Sequence, residues 1–274
     1  MTDPWAGFLI SSVAWLGMRH SEAIAEVREA GFGGVEILCK PGHFEHDDPE
    51  HVREAEIALA DWPEAIVTFH APFYEVDLAS SDGASWDYAL RVAMQAIEVA
   101  SRLRAGNVTL HTRSITNMGQ WDRENLDAFL RALDQLVDAV QRRNMTLAVE
   151  NLPPPYYTSH EEDLLRLIEG YPAHLLGVCL DTGHAHLGGR VVELSRSLAP
   201  RGLIAHLHDN LGHDGDKHLI PGEGTIPWKE VIEALAGFRG RLVIESVRVG
   251  DLEVLKKAIM ETGLSELTAA GMGK

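Results

Sequence analysis

Eight short apolar runs, each separated from the next by a longer stretch of helical periodicity, constrain this chain more than any other feature. The runs are FLIS (8–11), GVEIL (34–38), AIVTFH (65–70), NVTLH (107–111), TLAVE (146–150), GVCLD (177–181), IAHLH (204–208) and RLVIE (241–245). Their length and their β-branched content read as buried strands. Strict alternation of strand and helix argues for a parallel sheet, and eight units is the number that closes a (β/α)8 TIM barrel. A doubly wound open sheet is the structural alternative. No Gly/Ser linker or composition break divides residues 1–274, so one domain is expected.

The segments between the runs carry start and stop signals. Ser21 precedes EAIAEVREAGF and Ser85 precedes WDYALRVAMQAIEVASRLRAG, each ending at glycine. Leu126, Phe129, Leu130, Leu133, Val137 and Val140 share one face of the following helix, the pattern of core packing. Ser159 with Glu162 resembles a capping box, and Pro227 opens PWKEVIEALAGFRG.

Composition narrows the function classes. The 45% hydrophobic content suffices for a full core, no 18-residue apolar stretch is present, and MTDPWAGFLISS lacks the basic start and apolar run of a signal peptide. A soluble cytoplasmic protein is the expectation. Two cysteines, Cys39 and Cys179, are too few for a disulfide framework or a zinc ribbon and read as a loop thiol and a core thiol. With 41 acidic against 24 basic residues and a net charge of −17, the balance disfavours nucleic acid as a partner, and nothing resembles a polybasic membrane anchor.

Six of the eight runs carry a metal-binding type of side chain near their C-terminal ends: His70, His111, Glu150, Asp181, His206 with His208, and Glu245. In a barrel those ends converge on one mouth, where active sites of the fold are built. Any one of them could be an isolated polar terminus; six together are a poor fit to that account. Carboxylates and imidazoles without clustered thiolates suit Mn, Mg, Co or Zn. The stretch HLHDNLGHDGDKHLIPGEG (206–224) adds Asp216 and His218, close enough in sequence to reach one ion. Glu36, at the end of the second run, is a candidate contact for a sugar hydroxyl.

AVENLP, CLDTGHAH, HLHDN, DKHLIPGEGTIPW and VIES, in this order after TFHAPF, resemble the xylose isomerase-like TIM-barrel superfamily, which includes sugar isomerases and epimerases and endonuclease IV. The resemblance implies one divalent metal held by Glu150, Asp181, His206 and Glu245, with Glu150 and Glu245 as the paired carboxylates that take and return a proton. His206 is preferred to His208 for its spacing to Asp209. It also implies a small sugar-like substrate, free or phosphorylated, or a polyol ketone, isomerised or epimerised through a metal-stabilised enediolate. The endonuclease IV branch would in addition use His70, His111, His184, Asp216 and His218 for a multi-zinc phosphodiesterase acting on abasic DNA. HTRS after His111 departs from that branch's usual pattern. A non-catalytic or accessory metal-binding barrel is the third reading.

Overall fold

The computed structural model describes residues 3–114, 117, 121–213, 215–247, 249 and 251–269. Eight strands, β1 (Phe8–Ser11), β2 (Gly34–Leu38), β3 (Ile66–His70), β4 (Asn107–Leu110), β5 (Thr146–Glu150), β6 (Leu176–Asp181), β7 (Gly202–Leu207) and β8 (Arg241–Ile244), pair in sequence order. Every pairing is parallel, and β8 pairs back onto β1. The sheet is therefore a closed (β/α)8 barrel, and the open-sheet alternative is excluded. Among the described residues no helix is long and apolar enough to cross a membrane.

Two apolar clusters hold the barrel. The larger lies between sheet and helices and includes Phe8, Ile10, Val35, Phe69, Val108, Leu147 and Leu180. The smaller, Leu9, Ala148, Cys179, Ile204 and Val243, fills the inside of the barrel. Strand residues two apart share a face. Glu150, Asp181, His206 and Glu245 follow Ala148, Cys179, Ile204 and Val243 by two positions each, so four polar groups stand directly above four apolar ones. The alternation that builds a dry plug thus delivers the polar ring to the mouth.

Aspartates start most of the long helices. Asp48, Asp82, Asp122 and Asp251 cap Pro49–Ala60, Gly83–Arg102, Arg123–Gln141 and Leu252–Glu261, each accepting a hydrogen bond from a first-turn backbone N–H. The serines expected in this role do other things. Ser21 lies inside the helix His20–Glu29 and donates to Glu54. The Ser85 N–H donates to Asp82, whose charge makes it the stronger cap. Ser159 donates to the Tyr156 carbonyl, and the next helix begins at Glu161 without a side-chain cap. Cys39 is buried just past β2, not on an open loop, and both thiols are free.

Barrel closure demands glycine at one position. A Cβ on Gly34 would stand 1.8 Å from the Ile66 carbonyl oxygen, a backbone atom that strand pairing holds in place. Gly83, at the start of its helix, has open space around it. Gly34→Ala should lower stability by about 3 kcal/mol or more, as severe overpacking does. Gly83→Ala should leave it unchanged or raise it by up to about 1 kcal/mol. Urea denaturation of the two variants checks both expectations.

Candidate metal centre

The Asp-x-x-His pair is a helix cap put to a second use. Asp181 ends β6 and caps the short helix Thr182–Leu187, its Oδ1 accepting from the backbone N–H of His184 at 2.6 Å. That bond places the His184 ring back over the strand end. Gly183 between them is required by packing, since a Cβ there would meet the His208 ring at 1.9 Å. Asn151, directly after Glu150, accepts from the Asp181 N–H and donates to its carbonyl, locking β5 to β6 at this level.

Glu150 is the hub. His70 Nε2 and His111 Nε2 each lie 3.2 Å from its Oε2, His184 Nδ1 lies 3.2 Å from Oε1, and His206 Nδ1 lies 3.8 Å from Oε1. Burial alone would raise its pKa, but these imidazoles, His111 first among them, hold it well below the usual carboxylate range. His111 itself is pushed down by burial. His70, which burial would also push down, is raised by its hydrogen bond and charge pairing with Glu150.

Backbone contacts settle which ring nitrogens carry hydrogen. His70 Nδ1 is 3.0 Å from the Ala71 carbonyl, His184 Nδ1 is 3.0 Å from the Asn151 carbonyl, and His218 Nδ1 is 2.9 Å from the Glu245 carbonyl. A carbonyl only accepts, so each Nδ1 is an N–H and each Nε2 is the free nitrogen. Those Nε2 atoms face carboxylates: Glu150 for His70, and Asp216 at 3.0 and 2.7 Å for His184 and His218. Lone pair against carboxylate requires a positive charge between them, either a proton or a metal ion. Metal-ligating histidines carry the same N–H-to-carbonyl restraint.

His206 faces the other way. Its Nε2 lies 3.2 Å from Glu36, and its Nδ1 faces Glu245 Oε2 at 2.9 Å with Glu150 and Asp181 oxygens at 3.8 Å. This Nδ1 is buried and makes no aligned hydrogen bond, as is also true of His111 Nδ1 and His208 Nδ1. Donor atoms within 4.8 Å of one another recur in overlapping groups: His70, His206 and Glu245; His70, His111 and Glu150; and His184, Asp216 and His218. A fourth group of the same kind, Glu150, Cys179 and His206, brings in a thiol that the sequence reading left to the core. Oxygen and imidazole donors so arranged fit a divalent ion.

The loop after β7 is organised by Asp209, not by its own glycines. The buried Asp209 carboxylate accepts from Gly222 N–H, Ile226 N–H and the Trp228 indole, and its backbone pairs with Leu219 in both directions. PGEG is thereby a turn pinned beneath the mouth, and Asp216 and His218 are carried over the site. His208 is fully buried, with Nε2 3.0 Å from both Asp181 oxygens and its ring stacked on His218 at 3.9 Å. It backs Asp181 instead of lining the mouth. Glu36 is likewise buried beneath His206 and away from the cavity wall.

A cavity of about 370 Å³ opens above the ring. His70, His111, Glu150, His184, Asp216, His218 and Glu245 form its polar side, and Phe73, Leu152, Tyr156 and Val247 part of its apolar side. Sequence reading missed Phe73, whose ring stacks on His111 at 4.5 Å, and Lys40, the one Lys or Arg among the lining residues. TFHAPF offered a signal for the first; the second had none.

The electrostatics set a pH dependence. Burial would lower the His218 pKa, but the hydrogen bond to Asp216 and the charges of Glu245 and Asp216 push it up to about 9 from 6.5. A raised histidine pKa stabilises the fold fully below the unfolded value and ceases to do so as pH passes the folded value. Chelator-stripped protein should therefore lose stability as pH rises from about 6.5 to about 9, and His218→Asn should remove part of that fall. Urea midpoints across this range give the measurement.

The sequence profile of the xylose isomerase-like TIM barrels matches residues 24–267. An uncharacterized protein of Methanocaldococcus jannaschii is 28% identical over 262 residues, 93% of this chain and 88% of the relative. A probable endonuclease 4 of a Sulfurihydrogenibium species is 22% identical over 207 residues, 66% of this chain and 71% of the relative. Among solved structures, a D-tagatose 3-epimerase-like protein superimposes with a TM-score of 0.80 at 26% identity, covering 96% of this chain and 98% of that one. With the profile match spanning most of a closed eight-stranded barrel, the chain belongs to the xylose isomerase-like TIM-barrel family.

Proposed function

We propose that this protein is a metal-dependent isomerase or epimerase of a small sugar-like carbonyl compound. The observation that carries the reading is the placement of two carboxylates, Glu150 at 3.8 Å and Glu245 at 2.9 Å from His206 Nδ1, both on the wall of one cavity of about 370 Å³. Glu150, Asp181, His206 and Glu245 would hold a Mn, Mg, Co or Zn ion. A bound divalent ion supplies Lewis-acid stabilisation of negative charge on substrate oxygens. The chain's own part is proton movement. One of Glu150 and Glu245 removes a proton from the carbon beside the carbonyl, and the other returns it. Phe73, Leu152, Tyr156 and Val247 provide an apolar wall that keeps water from the exchanging proton. The 26% identical D-tagatose 3-epimerase-like protein, sharing nearly the whole barrel, agrees with this class of reaction.

A second reading, a multi-zinc phosphodiesterase, draws on the separate His184, Asp216 and His218 group beside that of His70, His111 and Glu150. The net charge of −17 and a cavity with Lys40 as the one Lys or Arg among its described lining residues fit a nucleic-acid backbone poorly.

Elemental analysis of protein purified without chelator, followed by solvent-deuterium exchange on a ketose and aldose panel, separates the readings. About one ion per chain with deuterium incorporated beside the carbonyl is the expected result. Glu150→Gln and Glu245→Gln should each slow exchange by about 10²–10⁴-fold. An effect confined to one glutamate would rule out the two-carboxylate scheme. Three zinc ions with cleavage of abasic DNA would establish the phosphodiesterase, and no ion under metal-replete conditions would leave an accessory barrel.

A further inference from the structure

Glu36 is a carboxylate beneath the cavity to which the scheme above gives no part. It lies on β2, fully buried, in register with Thr68 of β3. The Thr68 hydroxyl donates to its Oε2 at 3.1 Å, and both its oxygens stand 3.2 Å from His206 Nε2. No sugar hydroxyl reaches it from the cavity, whose lining does not include it.

We propose that Glu36 is a positioning residue that fixes the ring of His206 and decides which nitrogen the ion meets. Both Glu36 oxygens face His206 Nε2 as acceptors, so that nitrogen is the one that carries hydrogen. His206 Nδ1 is then left bare toward Glu150, Asp181 and Glu245, and this is the nitrogen that has no aligned hydrogen bond. A ring flip would turn the N–H to the ion and the lone pair to a buried carboxylate. Pairing with a carboxylate also makes the imidazole a better donor to metal, as in carboxylate–histidine–zinc triads. Thr68 holds Glu36 in turn, so the chain of control runs from the β2–β3 pairing through Thr68 and Glu36 to His206.

The inference rests on the metal reading above, and its test keeps the two apart. Co(II) is titrated into the metal-stripped full chain, reading the visible absorption band and the Kd. Glu36→Gln should weaken Co(II) binding about 10–100-fold and change the band. His206→Gln should weaken it as well, and the double variant should bind no more weakly than His206→Gln alone, because Glu36 acts through that ring. Thr68→Val should shift affinity the same way by less, and it carries the comparison if Glu36→Gln is not recovered folded. An unchanged Kd and band in Glu36→Gln, or in Thr68→Val where that variant stands in, would overturn the inference, as would strictly additive losses. A wild-type chain that takes up no Co(II) would instead remove the metal reading itself.

Discussion

One buried carboxylate, Glu150, is the constraint on which the rest of the mouth depends. An ionised group at 1% exposure is tolerable only when its charge and lone pairs are met inside the protein. Imidazoles from four other segments do so: His70 at the end of β3, His111 past β4, His184 from the short helix after β6, and His206 of β7. A group that needs partners from half the strands of a barrel can be satisfied only when the barrel is closed and in register. Its demands therefore select the same geometry as the apolar plug beneath it.

Much of this was legible in the sequence because the barrel's period and its chemistry coincide. The strand bounds match the apolar runs to within two residues at either end, and the mouth gathers the polar strand ends that a closed barrel predicts. What the sequence hides is vertical order. His206 and His208 are two apart and share a face, yet one stands among Glu36, Glu150 and Glu245 while the other is packed behind Asp181 against His218. Glu36 lies in the middle of its strand, two residues short of its end, under an imidazole contributed 170 residues later. Depth of this kind comes from barrel shear and tilt, which no local periodicity reports. Helix starts were misread for a simpler reason: a serine near a helical run looks like a cap unless the aspartate upstream is weighed against it.

The glycine- and charge-rich segment after β7 shows how composition misleads. Its charges read equally well as a solvated loop, and several are solvated. Yet Asp209, singled out in the sequence only for its spacing to His206, turns the segment into a defined strap by taking three hydrogen bonds from Gly222, Ile226 and Trp228. The strap is what makes Asp216 and His218 neighbours of His184, whose own position comes from the Asp181 cap three residues before it. Two unrelated local devices, a capped helix and a pinned loop, meet over one cavity.

Charge balance at the mouth then dictates how the site must behave. Glu36, Glu150, Asp181, Asp216 and Glu245 supply carboxylates, whereas His70, His111, His184, His206, His208 and His218 supply the imidazoles facing them. Among the described residues Lys40 is the one Lys or Arg on the cavity wall, so permanent cations there do little of the neutralising. The positive charge must come from protons on imidazole or from divalent ions, and both occupy the same places, between ring nitrogen and carboxylate oxygen. Protons and metal therefore compete there, and binding of an ion releases protons. The carboxylate neighbours of His70, His184 and His218 raise their pKa values against the pull of burial, which favours the protonated form that an ion would displace. A divalent ion among these acids would meet the charge that burial leaves uncompensated, so the stability of the mouth and its proposed chemistry rest on the same contacts.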